Sequence, residues 1–285
     1  IDGARLFLNG KAVGDDIRGI RLEAREGAAF SREYDVALAP GANLFRAVAF
    51  SRDRTESGPA ELSVVFEPPK PVLPRLHVLA AGADEYRNSA YKLNFALADV
   101  RGFLSALEPS AKRIFERVEI VTVLGSELTR GRLTAAFAAV SARARPEDVF
   151  IFFYAGHGIA SQEGGRNEFH FVLPAVTNMH DDEKLKAEGL SGSELRDLVG
   201  AIPANKQMIL IDACNSGALL EGFATRGSAE EHALAQLQRS AGVALLSAST
   251  ELQFANEVED LGHGLFTWAL MRGLSGEAAA KDGRI

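Results

Sequence analysis

Ile209-Leu-Ile-Asp212-Ala-Cys214-Asn-Ser-Gly217 is the stretch on which the reading of this chain turns. Met208 to Ile211 form an apolar run that passes straight into a short polar turn. Such a run predicts a strand buried on both faces. Residues just past its carboxyl end then lie at the rim of a parallel sheet, where open α/β folds place their chemistry. Cys214 is the only cysteine in 285 residues. Further out, Val149-Phe-Ile-Phe-Phe-Tyr154 has the same form and ends in Ala155-Gly156-His157-Gly158. One strand is expected to deliver a thiol to the rim and the other an imidazole. A nucleophilic cysteine needs a nearby base or cation to hold it as thiolate. Taken alone, a cysteine is usually a small buried hydrophobe, and a lone histidine is usually structural. The pair favours chemistry, because each stands at a strand end among small residues. Gly158 and Gly217 are hard to explain as core packing.

Tyr154-Ala-Gly-His157-Gly and Asp212-Ala-Cys214-Asn-Ser-Gly resemble the histidine and cysteine motifs of caspase-like cysteine peptidases (peptidase C14), specifically the metacaspase and bacterial orthocaspase branch. The histidine precedes the cysteine by 57 positions, close to the roughly 50 of caspases. Animal caspases carry Gln-Ala-Cys at the nucleophile, where this chain has Asp212-Ala-Cys214. The resemblance covers residues 75–285.

Composition narrows the alternatives. Hydrophobic residues make up 47% of the chain and charged residues 24%, enough for a real core in one large or two ordinary domains. A net charge of −7 argues against a nucleic-acid partner, which favours a basic surface, and gives no reason to expect an anionic membrane. No apolar run approaches the roughly 18 residues of a membrane-spanning helix. A single cysteine rules out an intrachain disulfide and fits a reducing, cytoplasmic setting. The sequence begins at Ile1 without a visible signal peptide and ends in Lys281-Asp-Gly-Arg-Ile285, where a turn would lead into another strand. A longer parent protein is therefore expected, with the last domain cut short at its carboxyl end.

Residues 1–68 read as a small β-sandwich. Leu6 and Leu8 alternate before Asn9-Gly10, a strong two-residue hairpin signal. Ile20, Leu22 and Ala24, then Tyr34, Val36 and Leu38, then Leu44, Val48 and Phe50, and finally Leu62, Val64 and Phe66 continue the period of two. The stretch Pro40-Gly-Ala-Asn-Leu-Phe-Arg-Ala-Val-Ala49 resembles immunoglobulin-like modules of bacterial multidomain proteins, which implies scaffolding or partner contact. Residues 69–74 form a proline-rich linker, expected to be extended and semi-rigid.

From residue 75 strands and helices alternate. Leu76–Ala80, Val118–Leu124, Val149–Tyr154, Met208–Ile211 and Gly242–Leu246 read as strands. Helices are expected around Val100–Leu107, after Thr129, after the capping box Ser191-Gly-Ser-Glu194, and at Phe266–Leu274. The expected fold is α/β, a mainly parallel sheet with helices on both faces. That is the order of caspase-like domains, although their sixth strand is missing from this sequence.

The resemblance implies a cysteine endopeptidase in which Cys214 attacks a peptide carbonyl and His157 acts as acid and base. It also assigns the oxyanion hole to the N–H groups of Cys214 and Gly158. Gly158 fits independently, having no side chain to block a substrate. No third residue that must orient His157 is visible. Asp212 lies two residues before the nucleophile and is expected to point to the same side of the strand. In metacaspases that aspartate lines the S1 pocket and selects Arg or Lys at P1. The other reading is a carboxylate that caps a neighbouring helix or pairs with an internal arginine. Asp99 is either a second acidic wall of S1 or an acid favoured by the helix dipole. Ser247 and Ser249 are candidate cleft residues, or caps of a turn. Arg226 is a candidate self-cleavage site, or part of a surface loop before a helix at Ala229–Leu237. His180-Asp-Asp-Glu183 could attract calcium, since clustered carboxylates suit it, but lacks regular ligand spacing. No zinc spacing is present, so no cofactor is expected. The expected partners are protein substrates and regulatory domains beyond this sequence. Two rivals stay open: a catalytically silent caspase-like scaffold, and a CHAT-like cysteine hydrolase.

Overall fold

The fold is that of a computed structural model, which describes residues 3–13, 33–51, 55–70, 72–163, 166–215, 234, 237, 243–247, 257–258 and 261–277. The amino-terminal part holds β1 (Gly3–Leu8), β2 (Lys11–Val13), β3 (Gly41–Phe50) and β4 (Ala60–Phe66). They form one antiparallel sheet in the order β2-β1-β3-β4. Asn9 and Gly10, at φ 53° and 90°, make the expected hairpin turn between β1 and β2. Tyr34, Val36 and Leu38 depart from expectation. They alternate with more exposed neighbours, as a strand would, but residues 33–39 join no ladder. Alternation records which side faces the protein and does not require a hydrogen-bonded partner strand. The predicted strand at Ile20–Ala24 lies outside the described residues, and a single sheet, rather than the two layers of a sandwich, is present among them.

The second part is built on β5 (Leu76–Gly82), β6 (Val118–Leu124), β7 (Val149–Glu163), β10 (Lys206–Asn215) and β11 (Ala244–Ser247). Their order is β11-β10-β7-β5-β6, with every neighbouring pair parallel. The sheet is mixed overall, because β8 (Arg166–Val172) folds back antiparallel on the far half of β7, and β9 (Leu190–Ser191) pairs with β8.

The helices are α1 (Ala96–Ile114), α2 (Arg130–Ser141), α3 (Asp182–Glu188), α4 (Gly192–Gly200) and α5 (Leu265–Leu274). Thr129 caps α2, and Ser191 with Glu194 forms the expected capping box on α4. Phe103 of α1 stacks on Phe153 at 4.4 Å, whereas Phe137 of α2 packs on Phe150 and Phe152. Successive strand residues face opposite sides, so α1 and α2 cover opposite faces of the sheet. This explains why the apolar run of β7 shows no alternation: its aromatic residues are buried on both sides.

The two parts touch. Lys11 of β2 donates to the carbonyl of Ile202, just past α4, and Asn205 donates to the carbonyl of Ala37 at 3.4 Å. Burial lowers the Lys11 ammonium to about 8.

Candidate active site

β7 and β10 are adjacent and parallel, and their register sets Cys214 opposite His157 and Asn215 opposite Gly158. The two motifs that sequence places 57 positions apart are thus side by side. His157 does not hang from a turn past the strand end. β7 runs on to Glu163, so the histidine lies inside a strand, at the point where parallel pairing with β5 gives way to antiparallel pairing with β8.

The His157 imidazole is buried and closely held. Nε2 lies 2.8 Å from the carbonyl oxygen of Tyr91. A carbonyl can only accept, so Nε2 carries the hydrogen, and in the neutral ring Nδ1 is the basic nitrogen. The Tyr86 ring lies 5.1 Å and the Tyr91 ring 6.2 Å from the imidazole. The Tyr86 hydroxyl accepts from the His157 backbone N–H at 3.2 Å, and the Tyr154 hydroxyl lies 2.9 Å from the His157 carbonyl. Tyr91 is anchored in turn, since its hydroxyl accepts from the Met179 N–H at 3.2 Å. The sequence gives no sign of this orienting group, because a backbone carbonyl has no letter of its own. Tyr86 sits in a stretch, Asp84–Ser89, that reads only as a polar loop.

Gly158 has a packing reason for its missing side chain. A Cβ there would lie 2.4 Å from Phe169 Cζ and 3.2 Å from the Ala213 Cβ. The expectation that packing does not explain this glycine is therefore corrected. Gly217 lies outside the described residues.

Asp212 and Asp99 come together, although one is on β10 and the other on α1. Both are buried. A Cβ on Gly264 would lie 2.7 Å from Asp212 Oδ2 and 3.1 Å from Asp99 Oδ2, so the two carboxylates converge on one glycine. Asp212 Oδ2 accepts from the Thr267 N–H at 3.1 Å and the Thr267 hydroxyl at 2.5 Å. Thr267 is the third residue of α5, and Gly264, at the N-cap, has no side chain to cap with. Asp212 therefore caps this helix from outside, as the structural alternative anticipated. Asp99 Oδ1 accepts from the Gly264 N–H at 3.0 Å and from His263 Nδ1 at 2.9 Å. Burial, followed by the like charge of Asp212, pushes the Asp99 carboxyl up to about 6, against the pull of His263 and the Gly264 N–H. Sequence reading missed His263, whose only signal is its place directly before Gly264-Leu-Phe-Thr267.

Ser247 ends β11, opposite Ile211 and so one position from Asp212 on the neighbouring strand. Ser249, Arg226 and the predicted helix at Ala229–Leu237 fall outside the described residues, apart from Leu234 and Leu237, which are helical. The acidic stretch at His180–Glu183 is the start of α3, where Asp181 Oδ1 accepts from the N–H groups of Glu183 and Lys184, each at 3.2 Å. No group of three or more metal-ligating side chains occurs among the described residues.

No curated protein sequence matches the chain. Among solved structures, protein GSU0716 from Geobacter sulfurreducens is similar at 17% identity and a TM-score of 0.49, over 72% of this chain and 83% of that one. Protein YXIM from Bacillus subtilis is similar at 11% identity and a TM-score of 0.34, over 99% of this chain and 69% of that one. The peptidase C14 family profile, described as the caspase domain, matches residues 75–282. With that match over most of its length, and with a parallel sheet carrying the histidine and cysteine motifs on neighbouring strands, the chain belongs to the caspase-domain family of peptidases.

Proposed function

We propose that this protein is a cysteine endopeptidase that cleaves protein substrates after Arg or Lys, using Cys214 as nucleophile and His157 as base. The observation that carries the proposal is the pairing of Cys214 with His157 across β10 and β7, together with the Tyr91 carbonyl that leaves Nδ1 as the basic nitrogen.

In the proposed reaction Nδ1 takes the thiol proton and the thiolate attacks the scissile carbonyl. The oxyanion is held by backbone N–H groups of Cys214 and Gly158. The imidazolium then protonates the leaving amine, and water hydrolyses the thioester. The basic P1 preference rests on Asp212 and Asp99, two buried carboxylates that a substrate cation would neutralise. Ser247, which ends β11 opposite Ile211, is proposed as a further cleft residue.

Initial rates on fluorogenic peptides that differ only at P1 (Arg, Lys, Asp, Leu) test this, with wild type, Cys214→Ala and Asp212→Asn. Cleavage after Arg and Lys that vanishes in Cys214→Ala and falls in Asp212→Asn is the expected result. Cleavage after Asp alone would retain the peptidase and reject the pocket. No cleavage, and no labelling of Cys214 by a thiol-reactive peptide probe, would reject the enzyme in favour of a scaffold.

A further inference from the structure

Two carboxylates brought to one buried point repel each other, and each needs donors to stay ionised. Asp212 has the N–H and hydroxyl of Thr267. Asp99 has the Gly264 N–H and one side chain, His263, whose Nδ1 is 2.9 Å from Oδ1. A single short strand, His263–Gly264, supplies both of these donors. Among the described residues, the groups facing Asp99 are therefore Asp212 from β10 and His263 with the Gly264 N–H from that strand, while Thr267 of α5 faces Asp212.

The His263 ring has a prepared seat. It lies over Gly102, three residues along α1 from Asp99, where a Cβ would come within 2.9 Å of His263 Cε1 and 2.4 Å of Met271 Sδ. A glycine inside a helix costs about 1 kcal/mol relative to alanine. Room for the imidazole and the Met271 thioether accounts for its presence here.

This step rests on the reading of Asp99 and Asp212 as walls of the P1 pocket. We infer that His263 is a positioning residue for that pocket: its imidazole aims the Asp99 carboxylate and supplies the side-chain hydrogen bond that lets Asp99 stand ionised beside Asp212. Selection of a basic P1 side chain then depends on a histidine that need not touch the substrate.

The test reads Asp99 directly, by carboxyl ¹³C NMR titration of the full chain, with the resonance assigned through Asp99→Asn. Wild type is compared with His263→Ala, His263→Gln and Gly102→Ala. The Asp99 midpoint is expected to rise by about one pH unit in His263→Ala, a tenfold change in proton affinity. It should rise less in His263→Gln, whose amide still donates. It should also rise in Gly102→Ala, which displaces the ring without altering any titratable group. Midpoints unchanged in His263→Ala and Gly102→Ala would overturn the inference. Binding of agmatine, an alkyl guanidinium, is measured alongside at pH 6 and pH 8. It should weaken at least threefold more in His263→Ala at pH 6 than at pH 8. If the Asp99 midpoint moves but agmatine binds neither form, the hold of His263 on Asp99 stands and the basic-P1 reading of the pocket falls.

Discussion

His157 Nε2 and the carbonyl oxygen of Tyr91 are 2.8 Å apart, and this one contact fixes Nε2 as the protonated nitrogen of the neutral ring. His157→Ala is expected to lower kcat for peptide cleavage by at least about a hundredfold. Tyr91→Phe keeps the carbonyl but removes the acceptor for the buried Met179 N–H. A stability loss of about 1–2 kcal/mol is expected from that unpaired donor, with a smaller fall in kcat. Urea denaturation and initial rates, run on both variants, check the two effects separately.

Asp212 has two tasks to separate, because it caps α5 as well as facing the proposed pocket. Asp212→Ala leaves the Thr267 N–H without its partner and should cost about 1 kcal/mol of stability. Asp212→Asn retains an acceptor oxygen of the same shape and removes only the charge. Its melting temperature should stay within a few degrees of wild type while cleavage after Arg falls at least tenfold. Equal losses of stability in both variants would leave the charge with no special part.

The raised Asp99 carboxyl makes stability depend on pH. Its ordinary value is 3.8 and its folded value about 6, so the folded state holds this proton more tightly than the unfolded. Folding takes up a proton in the interval between them, and stability falls as pH rises from about 4 to about 6. The size is on the order of 2–3 kcal/mol. Asp99→Asn should lack this contribution. Urea midpoints at pH 4, 5, 6 and 7 for wild type and variant would reveal a difference that opens across that interval and then stays constant.

Lys11 gives the opposite slope in a different range. Burial brings its folded value down from 10.5 to about 8. The unfolded chain therefore holds this proton more tightly, and stability rises with pH between about 8 and 10.5. Lys11→Met should flatten that rise relative to wild type. The same variant loses the hydrogen bond to Ile202 that ties β2 to the end of α4. Protease sensitivity of the junction around residues 69–74 should increase accordingly.

Much of this architecture was legible from residue types. Apolar runs at Val149–Tyr154 and Met208–Ile211 gave the buried strands, and Asn9-Gly10 and Ser191–Glu194 gave the hairpin and the capping box, because each is a local signal with a local cause. The sequence also paired His157 with Cys214, since each motif follows such a run. What stayed hidden depends on tertiary neighbours. The antiparallel return of β8 onto β7 is an exception, because Gly164-Gly165 between the two strands is itself a two-residue hairpin signal. The orienting group of His157 is a main-chain oxygen. The meeting of Asp99 with His263 joins residues 164 positions apart, and no local pattern records it. Tyr34, Val36 and Leu38 err the other way, with the alternation of a strand and no ladder to join.

The fifteen residues of β7 carry one more consequence. The strand is paired on one edge by β10 and on the other by β5 and then β8. Amides in such a middle strand exchange only when a large part of the domain opens, at a cost approaching global unfolding. His157 is therefore among the last groups in the molecule to move. In the proposed reaction the base is thus held by the centre of the sheet, and displacing it would mean prising that sheet apart.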